Sequence, residues 1–132
     1  MENIVRGLKE EFNNMIQDLT LIENKERAKE IAQQLCDLGC IDSADLLMNK
    51  WKARLQAKKA VEIKYPNLNE VDIDVLTEEY NELVADYDEI MEFVFENPEP
   101  HECIQKEVGV KLQAITQRMA EIQVVKDMLE LN

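Results

Sequence analysis

The chain is predicted to be all-α: a single-domain bundle of about five helices that ends in a long antiparallel helical hairpin. Two observations predict this. Only three Gly and three Pro punctuate 132 residues that are 45% hydrophobic and 33% charged, which is too little turn material for many short strands. Between those breaks the apolar residues recur at alternating steps of three and four, the spacing that lines one side of a helix. A chain of this length can bury about two thirds of its unfolded surface in one core, so a single domain over residues 1 to 132 is the expectation.

Val5, Leu8, Phe12, Met15, Leu19 and Ile22 form the first stripe and predict a helix over about residues 3 to 22. Asn24 is placed to cap a second helix carrying Ala28, Ile31, Ala32, Leu35 and Leu38, and Gly39 to end it in the left-handed conformation. Asp42 or Ser43 can cap a third, with Ala44, Leu47, Met48, Trp51 and Leu55 on one side. The short link between them predicts an antiparallel hairpin. Lys58 then falls on the buried face, so either the helix leaves the core there or the lysine stem snorkels outward. Pro66 drives Tyr65 out of helical geometry and closes a first half over residues 1 to 65.

Leu76, Tyr80, Leu83, Tyr87, Ile90 and Val94 make the cleanest period in the chain and predict a fourth helix. Asn97-Pro98-Glu99-Pro100 breaks it. Pro100 suits the first turn of a fifth helix, along which Val108, Leu112, Ile115, Met119, Ile122 and Leu129 follow one side. Helices four and five thereby form the hairpin of residues 66 to 132. Val124, Met128 and Leu131 give helix five a second apolar side, which predicts either deep burial or homo-oligomerisation through this helix.

The charge is segregated. Residues 1 to 64 hold eleven acidic and eleven basic side chains, and residues 106 to 132 hold four of each. Between them stand Glu70, Asp72, Asp74, Glu78, Glu79, Glu82, Asp86, Asp88, Glu89, Glu92, Glu96, Glu99 and Glu102 with no Lys or Arg, so the net charge of −13 belongs to that segment. On a helical wheel at about 100° per residue, Tyr80, Leu83, Tyr87, Ile90 and Val94 lie within about 40° of Leu76. Glu78, Glu82, Glu89, Glu92 and Glu96 lie on the opposite side. Like charges four apart, from Asp74 to Glu96, each cost an isolated helix roughly 0.2 to 0.5 kcal/mol, so tertiary packing, a partner or counterions must offset them. Asp74 to Glu96 spans roughly 33 Å, and its carboxylates fall about 3.7 Å apart, close to the roughly 3.4 Å phosphate spacing along one DNA strand. The basic run Lys50, Lys52, Arg54, Lys58, Lys59 and Lys64 could answer part of this charge from a neighbouring helix.

Several classes are excluded or set aside. The N-terminus lacks the apolar core of a signal peptide, and no stretch approaches the roughly 18 apolar residues of a membrane span, so a cytoplasmic location is expected. Cys36, Cys40 and Cys103 are read as reduced thiols, without a disulfide. A di-iron bundle needs paired Glu-x-x-His motifs, and His101 is the sole histidine. No phosphate-binding loop, dinucleotide fingerprint, nucleophile elbow or calcium-loop spacing is present. Cys36, Cys40, His101 and Cys103 could compose a zinc set, but Cys-x-x-x-Cys and His-x-Cys are not the usual tight ligand pairs. No metal or cofactor is therefore predicted, and no catalytic residues. Glu79-x-x-Glu82 and Glu89-x-x-Glu92 resemble half the carboxylate signature of all-helical nucleotide pyrophosphohydrolases, which hold magnesium over a triphosphate. That resemblance implies an enzymatic alternative that requires those carboxylates to face inward.

The leading expectation is a non-enzymatic protein that engages a basic surface of another protein, in its most specific form by imitating nucleic acid. Direct binding of nucleic acid is not expected, since the field of the acidic segment repels phosphate. The binding residues are expected to be Asp74, Glu78, Glu79, Glu82, Asp86, Glu89, Glu92 and Glu96, with Phe93 beside them as an aromatic anchor. In overall profile, small, helical, acidic and without catalytic apparatus, the chain resembles anti-defence and host-takeover inhibitors of phages, which implies inhibition of a nucleic-acid-binding partner. The alternative of another class is a self-associating structural bundle whose acidic face serves solubility.

Overall fold

The structure, a computed structural model, describes residues 2 to 131, with side chains described as far as Glu130. It is all-α, with no strand among the described residues: α1 (Glu2–Gln17), α2 (Lys25–Asp37), α3 (Ile41–Lys64), α4 (Ile73–Glu96) and α5 (Glu102–Leu131), plus a short 3₁₀ turn at Leu68–Glu70. Two compact units divide the chain, Met1–Ala60 and Val61–Asn132. None of the helices is long and apolar enough to cross a membrane.

In the first unit one core gathers Leu8, Phe12, Met15, Ile22, Ala28, Ile31, Leu35, Ala44, Leu47, Trp51 and Leu55, the stripes read from the sequence. Asn24 caps α2, its side chain accepting from the Arg27 N–H at 3.2 Å. At the other end Gly39 takes a φ of +86°. The Gly39 N–H donates to Cys36 at 3.0 Å and the Cys40 N–H to Leu35 at 2.8 Å. This paired arrangement satisfies two terminal carbonyls and needs a left-handed residue, which glycine adopts without steric cost.

The first helix is shorter than its apolar period. It ends at Gln17 rather than near residue 22, although Leu19 and Ile22 remain buried as the pattern requires. Asp18 supplies a local reason: its carboxylate accepts from both the Thr20 N–H, at 2.9 Å, and the Thr20 hydroxyl, at 2.6 Å, offering the chain a turn in place of helix. The non-local reason lies on α3. Arg54 Nε donates to the Ile16 carbonyl at 3.1 Å, Lys58 Nζ to the Leu19 carbonyl at 3.1 Å and Trp51 Nε1 to the Ile22 carbonyl at 2.6 Å. Three donors on one side of α3 thus satisfy one carbonyl of the last turn of α1, at Ile16, and two of the non-helical segment that follows it, at Leu19 and Ile22. Lys58 accordingly stays on the buried face, its side chain only 14% exposed, with its ammonium also 3.5 Å from Glu23.

In the second unit Asp72 caps α4 by accepting from the Asp74 N–H at 3.0 Å. At its far end Asn97 closes on the Phe93 carbonyl with both its backbone N–H and its side-chain amide. Pro100 lies in the turn before α5 and not inside its first turn; the His101 carbonyl accepts the first helical bond, from Gln105. Helices α4 and α5 run back to back as an antiparallel hairpin. Its base is dry, with Val61, Leu76, Ile122 and Val125 buried. Its turn end is wet: from Ala85 to Lys111 every residue but Ile90, Val94, Pro100 and Val108 is exposed. A stripe on α4 that meets a single partner helix can be covered from one side only, which is why Tyr87, on the predicted seam, remains exposed.

Candidate functional site

The nine residues singled out from the sequence all lie on α4, and its continuous helical geometry sets them in one row. Asp74, Glu78, Glu82, Asp86, Glu89, Glu92 and Glu96 are exposed. No Lys or Arg lies within ion-pair distance of any of them among the described residues. Glu78, Glu82, Glu92 and Glu96 lie opposite the seam on the wheel, and the like-charge neighbours at 74/78, 78/82, 82/86 and 92/96, with Asp88/Glu92 beside them, meet no local cation. Phe93 stands beside it with 42% of its surface exposed.

Glu79 is a correction. Its carboxylate does not join the free row; it is held by Arg118 of α5, whose Nε donates to one oxygen and whose Nη2 donates to the other at 3.1 Å. The same Nη2 donates to the Tyr65 hydroxyl at 2.8 Å, and the guanidinium lies 5.8 Å from the centre of the Tyr65 ring. The sequence carried a sign of this, since Glu79 sits about 60° from Leu76 on the wheel, at the edge of the seam and not opposite it. Arg118 itself was not singled out, because no local pattern joins it to Glu79, 39 residues away.

Other cations are also committed elsewhere. Lys64 reaches Glu121 of α5, a carboxylate only 2% exposed, at 3.1 Å to its second oxygen. Lys126 lies over the Tyr80 ring at 5.4 Å, and Lys111 pairs with Glu107 one turn earlier at 3.4 Å. Within the first unit Arg54 and Lys58 of the basic run reach the Ile16 and Leu19 carbonyls and Glu23, and within the second Lys64 reaches Glu121.

The metal readings rest on donor geometry. Among the described residues no three His, Cys, Asp or Glu side chains gather closely enough to hold an ion. The four glutamates of the pyrophosphohydrolase-like pattern diverge: Glu79 turns to Arg118, while Glu82, Glu89 and Glu92 face solvent. The second apolar side of α5 is taken up at Val124, which is fully buried within this chain, and Met128 is half-buried. The Leu131 side chain lies outside the described residues.

Hydrogen bonding to Arg118 holds the Glu79 carboxyl below its ordinary value of 4.5, and in the first unit Arg27 does the same to Glu11, with bonds of 2.7 Å to each oxygen. Both folded values are depressed, so the stability each pair contributes is present above about pH 4.5 and lost as pH falls through the lower folded value. Denaturant titrations stepped from pH 6 to pH 3 are expected to show this loss. Arg118→Met is expected to flatten the part that belongs to the hairpin, and an unchanged slope in that variant would contradict the assignment.

The fold places the protein in the class of all-α helical bundles, with an acidic helix α4 of whose carboxylates Glu79 is paired. Comparisons with protein-family models, with curated proteins and with solved structures gave no match.

Proposed function

We propose that the protein is a cytoplasmic, non-enzymatic binding module that uses the outward row of α4 to occupy a basic surface of a partner protein. The observation that carries this reading is the row Asp74, Glu78, Glu82, Asp86, Glu89, Glu92 and Glu96, exposed and without a cation of the described chain to answer it. A merely solubilising face usually intersperses both signs. Here one sign runs unbroken along a helix of 24 residues, at a cost in like-charge repulsion of about 1 to 2 kcal/mol. With Glu79 held by Arg118, the eight other carboxylates of α4 fall about 4 Å apart over roughly 33 Å, still near the roughly 3.4 Å phosphate spacing of a nucleic-acid strand, so the fitting partner is a nucleic-acid-binding protein, and occupying its groove would inhibit it.

The test joins binding to stability. Glu78, Glu82, Glu89, Glu92 and Glu96 are changed together to Gln, and affinity for a basic nucleic-acid-binding domain is measured by calorimetry at about 50 and about 200 mM salt. The native chain is expected to bind with at least about tenfold loss over that salt range, and duplex DNA to compete. The amide variant is expected to lose binding yet gain about 1 kcal/mol in stability as repulsion is removed. A functional row thus shows opposite signs in the two measurements. No binding by the native chain, together with an oligomer that persists at every salt concentration, would overturn the proposal in favour of a self-associating bundle.

A further inference from the structure

Near its turn the α4–α5 hairpin carries a cleft of about 310 Å³ lined by Glu89, Ile90, Phe93, Ile104, Glu107, Val108 and Lys111. Ile90 and Val108 form a half-buried floor, while Phe93 and Ile104, 42% and 37% exposed, form the walls. No neighbouring element of the described chain covers them. We propose that this cleft receives one amphipathic helix of a partner protein, its apolar side seated between Phe93 and Ile104 and its lysines and arginines lying along the α4 edge. The inference rests on the acidic-face reading above and names the partner's form.

The shape of the occupant follows from the two walls. A groove between antiparallel helices runs parallel to both, and a third helix laying residues at steps of three and four into it completes a helical core. The charge of the occupant follows from the rim on the α4 side. Glu89 lines the cleft there, and Asp86 and Glu82 continue along the Phe93 side of α4 without counter-ions, so cations on the incoming helix meet carboxylates that nothing else neutralises. On the α5 side Lys111 is already held by Glu107, so that edge asks for little charge. A second copy of the same hairpin fits the shape but not the field: residues 65 to 105 contain no Lys or Arg, and two such edges would set carboxylate against carboxylate. A small ligand is poorly served, because the walls are apolar and no convergent polar groups orient it.

The experiment titrates the full chain with three labelled peptides of about 18 residues. The first is a Leu/Lys peptide with leucines at helical three- and four-residue spacing, the second the same residues scrambled, and the third the spaced peptide with Glu in place of Lys. The spaced Leu/Lys peptide is expected to bind at least about tenfold more tightly than either other. Phe93→Ala is expected to remove about tenfold of that affinity, with helicity unchanged because the ring lies on the exposed wall of the cleft and outside the buried core. Ile63→Ala, at an exposed position on α3, is expected to leave it intact. Equal binding of the spaced and scrambled Lys peptides, insensitive to Phe93→Ala, would overturn the helix-receiving cleft while leaving the acidic-face reading standing. Tighter binding of the Glu peptide, or a Phe93-dependent dimer on sedimentation, would overturn the choice of occupant. Failure of both Lys peptides to bind would remove this inference and the proposed function together.

Discussion

Replacing Trp51 with alanine is expected to lower the stability of the first unit by about 4 kcal/mol, enough to leave a marginal domain partly unfolded at room temperature. Two losses combine. The indole is 3% exposed in a core shared with Phe12, Ile22, Ile31 and Leu55, and truncating a buried Trp to Ala costs about 3 to 5 kcal/mol in transfer and cavity terms. Its Nε1–H also satisfies the Ile22 carbonyl at 2.6 Å, and an orphaned buried acceptor costs about 1 to 3 kcal/mol more, though the two do not simply add. Trp51→Phe separates them, since it keeps most of the apolar volume and removes the donor; about 1 to 2 kcal/mol is expected. Urea melts followed by circular dichroism read both variants. Trp51→Phe matching the native chain would show that the hydrogen bond does not hold the segment after α1 in place.

Replacing Lys64 with methionine is expected to cost about 3 kcal/mol, a large effect for a side chain that is itself half exposed. The aliphatic stem is largely preserved, so the loss is electrostatic. Glu121 is left buried, 2% exposed, with its charge unanswered. Removing one partner of a buried pair costs about 3 to 5 kcal/mol, and the lower end applies because water reaches the lysine. Glu121→Leu combined with Lys64→Met is expected to recover most of the loss, because the desolvated charge is then gone as well. Denaturant titration of the two singles and the double closes the cycle. A double variant no more stable than Lys64→Met alone would mean that Glu121 is needed for its shape or for another contact, and not as the counter-charge of Lys64.

These two positions show where sequence reading stops. Trp51 was placed on the buried side of its helix by period alone, yet nothing local indicated that its indole would reach Ile22, 29 residues earlier. Lys58 on that same side predicts either that the helix leaves the core or that its stem snorkels outward. The structure instead supplies the Leu19 carbonyl, in the non-helical segment after α1, as the acceptor of its ammonium, so the lysine stays buried with its donor satisfied. For the candidate site, the exposed row from Asp74 to Glu96 was legible because helical geometry and charge are both local. The exception, Glu79, was visible only as an angle near the seam, and its capture by Arg118 depends on how α4 and α5 register. At the turn end of the hairpin the period overstates burial: Tyr87 keeps the seam spacing but is exposed, and Ile104 falls outside the apolar stripe of α5 although it walls the cleft.

By itself the sequence determined the all-α class, the breaks at Gly39 and around Pro98 and Pro100, and the concentration of −13 charges in one segment. Each of these follows from steric and periodic rules that act within a few residues of chain. Tertiary structure alone decided which faces are covered: that Glu121 and Val124 are buried, that Glu79 is neutralised, and that Phe93 and Ile104 stand open beside free carboxylates. Coverage of a helical face depends on residues brought from far along the chain, and that information is absent from any single stripe.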